Sequence, residues 1–242
     1  MLFVSLMNRQ NQSQDQIVWE FFSRRDTGFF VEVGANHPQE GSQTWLLEQR
    51  GWRGVLVEPQ ERLFKQLCQA RPRSQVFRAA CSAPDKTGFA DLHIPADALN
   101  GFATLERNVD DFEIRYERTE RVELTTLDAL LARAGAPKVD FLSIDTEGTE
   151  LDVLRGFDVR EHRPGLILIE DKGQSLAKHR HLRGQGYKLV KRTELNNWYV
   201  PQDTVFTLTS TGERLKLWRK VFLGLPFRQL RHWRHTRSRG PG

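Results

Sequence analysis

The chain contains the apolar run Phe29-Phe30-Val31-Glu32-Val33-Gly34, which ends at a glycine. A short continuous apolar run of this kind predicts a strand that is buried on both faces. A second run, Gly54-Val55-Leu56-Val57-Glu58-Pro59, follows a helical pattern over residues 45–50, for which Gly51 is a plausible stop. Buried strands that alternate with helices are typical of a parallel sheet covered by helices on both faces. These residues therefore predict a doubly wound α/β domain.

The same alternation continues along the chain. We expect further strands over residues 75–80, 139–145, 166–170, 187–192 and 198–200, and helices over residues 15–25, 61–70, 126–134, 150–156 and 175–185. Residues 83–124 hold prolines and glycines among short strand-like pieces, which indicates an insertion, and we expect it to form the acceptor region. The sequence thus predicts a loose N-terminus over residues 1–14, an α/β domain over 15–205 and an extension over 206–242.

Composition restricts the class of protein. Of the 242 residues, 38% are hydrophobic and 28% are charged, as in globular chains. The two cysteines, Cys68 and Cys81, exclude a disulfide framework and indicate a reducing compartment. No apolar run approaches the roughly 18 residues of a membrane span, and the first residues lack the pattern of a secretory signal. We therefore expect a cytoplasmic protein.

The charge of the chain is distributed unevenly. The segment from Glu213 to Gly242 carries nine Lys and Arg residues against one acid, whereas the rest is mildly acidic. Tryptophan and phenylalanine alternate with the basic residues over 213–235, a pattern typical of interfacial helices, which predicts peripheral contact with the inner face of a membrane. Packing against the domain or a second subunit, as in a homodimer, and disorder remain alternatives. Without an RNA-binding motif, we do not expect nucleic acid as a partner.

Four acids lie at the ends of predicted buried strands: Glu32, Glu58, Asp145 and Glu170. The carboxyl ends of parallel strands share one edge of a sheet, and ligands of open α/β sheets bind in the crevice at that edge. Acids are depleted in strands, so four of them at such positions are more than we expect by chance. The sequence therefore predicts an acidic cleft.

The first turn of the sheet indicates the charge of the ligand. Its residues, Gly34-Ala35-Asn36-His37-Pro38, lack the later glycines of the G-x-G-x-x-G motif that approaches a pyrophosphate. A carboxylate at Glu32 would repel phosphate and favour a cation such as S-adenosylmethionine. Glu58 is placed to accept both ribose hydroxyls, but the same position serves NAD. Of these two features, only the first turn argues against an NAD-linked oxidoreductase. This function therefore stays an alternative.

Three stretches resemble the FkbM-type methyltransferases. They are residues 30–36 with 42–48, residues 51–59, and Phe141-Leu142-Ser143-Ile144-Asp145-Thr146-Glu147-Gly148-Thr149-Glu150-Leu151. The resemblance covers about 14–200 and implies a Rossmann-like class I methyltransferase sheet that binds S-adenosylmethionine. Many members are assigned to O-methylation of sugars or polyketide-like natural products, so the implied acceptor is a small molecule or glycan. A nucleotide- or glycan-binding module without catalysis remains an alternative.

The resemblance also implies roles for individual residues. Glu32, Gly34 and Asn36 would hold the methionine end of the cofactor, and Glu58 the ribose. Three residues after the third strand would border the adenine: Ala80, Cys81 and Ser82. Asp145 would lie between cofactor and acceptor, and Ala35 and Pro59, beside the two motifs, belong to the same cofactor site.

Methyl transfer to a neutral hydroxyl is helped by a nearby base, and the candidates are Asp145 and Glu147. Oxygen ligands for Mg²⁺ could come from Asp145, Glu147, Glu170 and Asp171. Acids at these positions can also bind the cofactor. The sequence therefore favours a site without a metal and leaves Mg²⁺ as an alternative.

Overall fold

The computed structural model describes residues 13–95, 103–105, 116–172 and 175–224. Its strands are β1 Phe29–Val33, β2 Arg53–Val57, β3 Ser74–Phe77, β4 Ala80–Cys81, β5 Gly88–Pro95, β6 Tyr116–Thr125, β7 Phe141–Ile144, β8 Leu166–Glu170, β9 Tyr187–Thr193 and β10 Asn196–Pro201. Its α-helices are α1 Gln14–Phe21, α2 Trp45–Gln49, α3 Glu61–Ala70, α4 Leu127–Ala134, α5 Glu150–Arg155, α6 Val159–His162, α7 Ala177–Gly184 and α8 Thr211–Trp218. The predicted loose N-terminus falls mostly on residues 1–12, which lie outside the described residues.

A seven-stranded sheet with the order β3-β2-β1-β7-β8-β10-β9 forms the centre of the fold. Strand β10 is antiparallel to both of its neighbours, and the remaining pairs are parallel. The chain leaves β1 towards β2 and β3 on one side and later returns to place β7 on the other. This reversal creates a crevice at the carboxyl ends of β1 and β7, where ligands of doubly wound sheets bind.

Both faces of the sheet are buried, which confirms the predicted doubly wound arrangement. Alternate residues of a strand point to opposite faces. In β8, Ile167 and Ile169 belong to a cluster with Leu130 of α4, whereas Leu166 and Leu168 join another with Trp198. The continuous apolar runs in the sequence reflect this double burial.

The predicted third strand is in fact two strands in different sheets. Residues 74–77 pair with β2, but Ala80 and Cys81 pair with β6 in a second, three-stranded sheet of order β4-β6-β5. The chain changes sheets at Arg78, which forms ion pairs with Glu61 and Glu120. Strands β5 and β6 form an antiparallel pair and supply most of this sheet from the predicted insertion over 83–124.

The C-terminal extension begins with residues that pack on the domain. Phe206 is buried, with its ring centroid 5.8 Å from that of Phe21. Helix α8 follows with a capping box between Ser210 and Glu213. Three large apolar side chains of this region are exposed: Leu215, Trp218 and Leu223. Residues 225–235 lie outside the described residues, so membrane contact and dimerisation stay predictions.

None of the helices among the described residues has the length and apolar character that a membrane crossing needs.

Candidate active site

A cavity of about 220 Å³ lies at the carboxyl ends of β1, β2 and β7. Most of the predicted site residues line it, namely Glu32, Gly34, Ala35, Asn36, Glu58, Pro59, Ala80, Cys81, Asp145 and Glu147. Ser82 is not among the lining residues; it is buried, and its backbone N–H donates to the carbonyl of Thr125 at the end of β6 at 2.8 Å. The structure thus brings together residues from four separate stretches of sequence.

The first turn is held closely against β7 and β2. Gly34 has φ +78°, and a Cβ at this position would lie 1.7 Å from the carbonyl oxygen of Asp145. The backbone N–H groups of Gly34 and Ala35 both donate to the Val57 carbonyl, at 2.9 and 3.1 Å. Only glycine combines this conformation with this approach. The close packing explains why the ends of β1 and β7 can wall one narrow cavity.

Glu58 joins the first turn to the start of α3. One carboxylate oxygen accepts the Asn36 N–H and the other accepts the Gln60 N–H, each at 2.9 Å. Burial raises the pKa of Glu58 to about 7, and Glu120 adds to the rise, whereas the two N–H groups oppose it. A carboxylate has about four lone-pair sites, so Glu58 retains capacity for two more donors.

Glu32 is engaged by a neighbouring loop. Its oxygens accept hydrogen bonds from Ser42 Oγ at 3.0 Å, Gln43 N–H at 2.7 Å and Thr44 Oγ1. Burial raises the pKa of Glu32, while nearby Arg71 and these hydrogen bonds oppose the rise. Glu32 therefore anchors the loop over residues 42–44 at the wall of the cavity, a role that its position in the sequence did not indicate.

Arg71 also holds this loop in place by hydrogen bonds to its side chains. Its guanidinium pairs with Glu48 and donates to Thr44 Oγ1 at 2.8 Å, with longer bonds to Ser42 Oγ and the Pro38 carbonyl at 3.2 Å. The side chain is completely buried. Buried arginines are rare without a partner, and here one guanidinium connects α2, α3 and the cavity loop.

Three acids meet at the ends of β7 and β8, and two of them, Asp145 and Glu147, line the cavity. Oxygens of Asp145, Glu147 and Glu170 all lie within 4.8 Å of one another. Asp145 is open to the cavity, but the surrounding protein and the negative charge of Glu170 and Glu147 raise its pKa well above the ordinary value. Burial and Glu147 raise the pKa of Glu170 to about 7.

Two lysines lie next to this cluster. Lys172 Nζ is 2.9 Å from Glu147 Oε2, so this lysine has a defined partner. Lys178 Nζ donates to Glu150 Oε2 at 3.0 Å and to the main-chain carbonyl of Glu170 at 2.7 Å. Glu150, the first residue of α5, also accepts the Gly148 N–H at 2.8 Å and so fixes the turn that carries Glu147.

The fourth acid suggested as a metal ligand, Asp171, has other partners. Its carboxylate accepts a hydrogen bond from Asn197 Nδ2 at 2.8 Å.

Burial raises the pKa of the Cys81 thiol, which keeps it protonated and argues against a nucleophilic role.

Sequence reasoning did not identify the apolar part of the cavity wall. Leu92, Ala103 and Leu105 come from the second sheet and the segment beside it, and Leu63 comes from α3. Their contribution depends on strand pairing across the insertion, and no local pattern shows that pairing.

Comparisons with known proteins identify the family. Residues 32–189 match the Methyltransferase FkbM domain. No curated protein matches the chain. Solved structures similar to this one include a protein of the NADB-Rossmann superfamily from Streptococcus agalactiae, with TM-score 0.44, 13% identity and coverage of 92% of this chain and 87% of that chain.

Two further structures have a TM-score of 0.42. One is M. capricolum TrmK in complex with S-adenosyl-homocysteine, which is 7% identical and covers 93% of this chain and 95% of that chain. The other is the putative methyltransferase yhhF from Escherichia coli, which is 8% identical and covers 79% of this chain and 86% of that chain. Because the family match spans more than half of the sequence, including the strands and acids that surround the cavity, the chain belongs to the FkbM methyltransferase domain family.

Proposed function

We propose that the chain transfers a methyl group from S-adenosylmethionine to a hydroxyl group of a sugar or glycoconjugate. The observation that carries the proposal is Glu58, which lines the cavity at the end of β2. Its two oxygens are held by backbone N–H groups and retain acceptor capacity. A carboxylate fixed in this way is suited to the two hydroxyls of a ribose.

The charge of the cavity favours a cationic cofactor. Five acids are among its lining residues: Glu32, Glu40, Glu58, Asp145 and Glu147. None of the described residues that line it is lysine or arginine. Such a wall attracts the ammonium and sulfonium groups of S-adenosylmethionine and repels the pyrophosphate of NAD. The electrostatics thus support the methyl donor over the dinucleotide.

Asp145 is the best candidate for a general base. Glu147 is held by Lys172, whereas the Asp145 carboxylate accepts no hydrogen bond among the described residues and opens into the cavity. Burial and the neighbouring acids raise its pKa, which makes it a stronger base than an ordinary carboxylate. As the acceptor oxygen bonds to the methyl carbon and the carbon–sulfur bond breaks, Asp145 would take the hydroxyl proton. The sulfonium charge is lost in the same step.

The walls around Asp145 support a sugar as the acceptor. Leu92 and Leu105 give an apolar surface, and Asn196 adds a polar side chain at another part of the wall. A pyranose ring presents both C–H and hydroxyl surfaces, and pockets of mixed character suit such ligands. The sugar class itself comes from the family resemblance.

The proposal is tested first by calorimetric titration with S-adenosylhomocysteine, with NAD as the control ligand. We expect micromolar binding of S-adenosylhomocysteine and none of NAD. Transfer of a labelled methyl group from S-adenosylmethionine to glycan fractions then tests catalysis. Preference for NAD would instead support an oxidoreductase, and cofactor binding without transfer to any hydroxylated acceptor would support a binding module.

Replacing Glu58 with glutamine should weaken S-adenosylhomocysteine binding by about 1–3 kcal/mol, or roughly 5- to 150-fold, because one oxygen that accepts hydroxyl donors becomes an amide. Calorimetry measures the change. The control is Glu61→Gln, since Glu61 is three residues away and partly exposed, with its side chain paired to Lys65. Equal affinity of the two variants would contradict the assignment of Glu58 to the ribose.

The affinity for S-adenosylhomocysteine should increase with pH. Burial raises the pKa of Glu58 to about 7, so the unliganded side chain is mostly protonated below neutral pH. Only the ionised form accepts both hydroxyls, and we therefore expect about tenfold tighter binding at pH 8 than at pH 6. Titrations at three pH values measure the slope. Glu58→Gln should abolish it, and Glu170→Gln should retain it; a slope that survives in Glu58→Gln would belong to another group.

A further inference from the structure

Glu170 is a buried carboxylate without a donor. Its side chain at the end of β8 is only 5% exposed. Among the described residues, its carboxylate has no hydrogen bond or ion pair, because Lys178 contacts only its main-chain carbonyl. Lys172 and Lys178 act on this carboxylate only through their charge, without a hydrogen bond to it, and a buried carboxylate without a hydrogen-bond donor is costly. The position therefore calls for a partner that the described residues do not supply.

The other buried glutamates of the chain show the contrast. Glu32 accepts three hydrogen bonds from the 42–44 loop, and Glu58 accepts two from backbone N–H groups. Glu48 accepts from Arg71, Arg73 N–H and Ser74 Oγ. Glu150 accepts from its own turn and from Lys178. Glu170 is thus the exception to a pattern that these four residues follow.

The unpartnered carboxylate points into a cluster of the same charge. Its oxygen lies within 4.8 Å of oxygens from both Asp145 and Glu147. Two oxygens bound to one ion are separated by at most about 4.2 Å for Mg²⁺ and about 5 Å for Ca²⁺, which is twice the metal–oxygen distance. Adjacent oxygens around Mg²⁺ are only about 3 Å apart, so the three carboxylates share an ion of this size when their oxygens draw closer together than this upper limit.

The two nearby lysines do not occupy the space between the three carboxylates. Lys178 is directed to Glu150, and Lys172 contacts Glu147 alone among the three cluster acids. The Lys172 side chain is 45% exposed, so it can move into solvent when another cation approaches Glu147. Neither lysine provides a hydrogen bond to Asp145 or to the side chain of Glu170.

We infer that Asp145, Glu147 and Glu170 form a binding site for a hard divalent cation such as Mg²⁺ or Mn²⁺. An all-oxygen ligand set selects such ions over zinc or copper, which prefer nitrogen and sulfur. Magnesium commonly binds through one or two carboxylates together with water and substrate oxygens, and this site opens into the cavity through Asp145.

Binding of the ion does not depend on methyl transfer, whereas its role in the reaction rests on the proposed function. An ion at this position would contact the acceptor hydroxyl, orient it and lower its pKa, so that Asp145 or a water molecule removes the proton more easily. Asp145, Glu147 and Glu170 would therefore lie on the acceptor side of the cavity.

The test is a titration of the full chain with MnCl₂, in which electron paramagnetic resonance measures free Mn²⁺. We expect one Mn²⁺ per chain, with competition by MgCl₂ and CaCl₂ ranking the ions. Glu170→Gln should weaken Mn²⁺ binding at least about tenfold, because it removes a charged ligand and keeps the shape. The control is Glu161→Gln, at an exposed glutamate of α6 outside the cluster, and it should leave binding unchanged.

Thermal unfolding provides a second readout. In EDTA, Glu170→Gln should unfold at the same or a higher temperature than wild type, since it removes repulsion between carboxylates. MnCl₂ should raise the unfolding temperature of wild type but not of the variant. If Glu170→Gln does not fold, Asp145→Asn takes its place in both measurements.

Two results would overturn the site. One is a lack of Mn²⁺ binding in wild type both with and without S-adenosylhomocysteine, and the other is equal Mn²⁺ affinity in wild type, Glu170→Gln and Asp145→Asn. S-adenosylhomocysteine titrated separately shows whether the proposed function has failed instead. A chain that binds Mn²⁺ through Glu170 but not the cofactor product would retain the metal site and lose the methyltransferase proposal.

Discussion

Replacing Gly34 with alanine should destabilise the fold by about 3 kcal/mol or more and abolish S-adenosylhomocysteine binding. The new Cβ would lie 1.7 Å from the Asp145 carbonyl oxygen, in a backbone conformation that alanine also disfavours. The carbonyl cannot easily retreat, because the Asp145 N–H is bonded to the Val33 carbonyl at 2.9 Å. Relief requires separation of β1 and β7, which would distort the cavity. Chemical denaturation and calorimetry measure the two effects.

Gly41→Ala is the matched control for this variant. Gly41 has nearly the same conformation, φ +75°, and also lines the cavity, but a Cβ there would meet nothing within 4 Å. We expect a loss of only about 1 kcal/mol from backbone strain, with cofactor affinity nearly unchanged. The difference between the two variants therefore isolates the steric clash. Similar stability losses in both would contradict the close approach of the first turn to β7.

Replacing Arg71 with methionine should lower the free energy of unfolding by about 3–5 kcal/mol, because it leaves Glu48 buried without its charged partner. Methionine fills part of the volume but donates no hydrogen bonds to Thr44, Ser42 or Pro38. The loop that Glu32 holds loses its support as well, so cofactor affinity should decrease. Urea denaturation followed by circular dichroism measures the stability loss.

Arg78→Met is the control for the loss of an arginine ion pair. Arg78 is partly exposed and contacts Glu61 and Glu120 at 3.6 and 3.3 Å. Such pairs contribute about 1 kcal/mol or less. The double variant Arg71→Met/Glu48→Gln should recover part of the loss, since it removes the stranded charge. Equal losses for Arg71→Met and Arg78→Met would show that the buried pair contributes no more than an exposed one.

Much of the central sheet could be predicted because its strands are encoded locally. The apolar runs at β1, β2 and β7 end at acids that line the cavity, and the run at β8 ends at Glu170 beside them; parallel strands require that convergence. The second sheet could not be predicted in the same way. Its strands pair across 21 to 44 residues, from Pro95 with Tyr116 to Ala80 with Leu124, and the change of sheet at Arg78 has no local signature.

The positions of the site residues could be predicted from the sequence more readily than the contacts of their side chains. Glu32 and Glu58 occupy equivalent places in the sequence pattern, yet Glu32 is taken up by hydroxyl and N–H donors ten to twelve residues later, whereas Glu58 keeps acceptor capacity. Lys172 pairs with Glu147, a partner 25 residues earlier that no local pattern indicates. Arg71 gave no signal, because an arginine after a helix is usually exposed. These roles depend on tertiary contacts.

A hydrogen bond from Thr104 joins the second sheet to the turn that carries Glu147. Thr104 pairs with His93 of β5 through backbone bonds of 2.9 and 3.1 Å, and its hydroxyl donates to the Glu147 carbonyl at 3.3 Å. Its neighbour Leu105 lines the cavity. A ligand that displaces residues 103–105 must therefore alter the Glu147 turn, and a ligand held by Glu147 must alter the 103–105 wall. Thermodynamic linkage makes this coupling reciprocal, so each occupant changes the affinity for the other by the same factor.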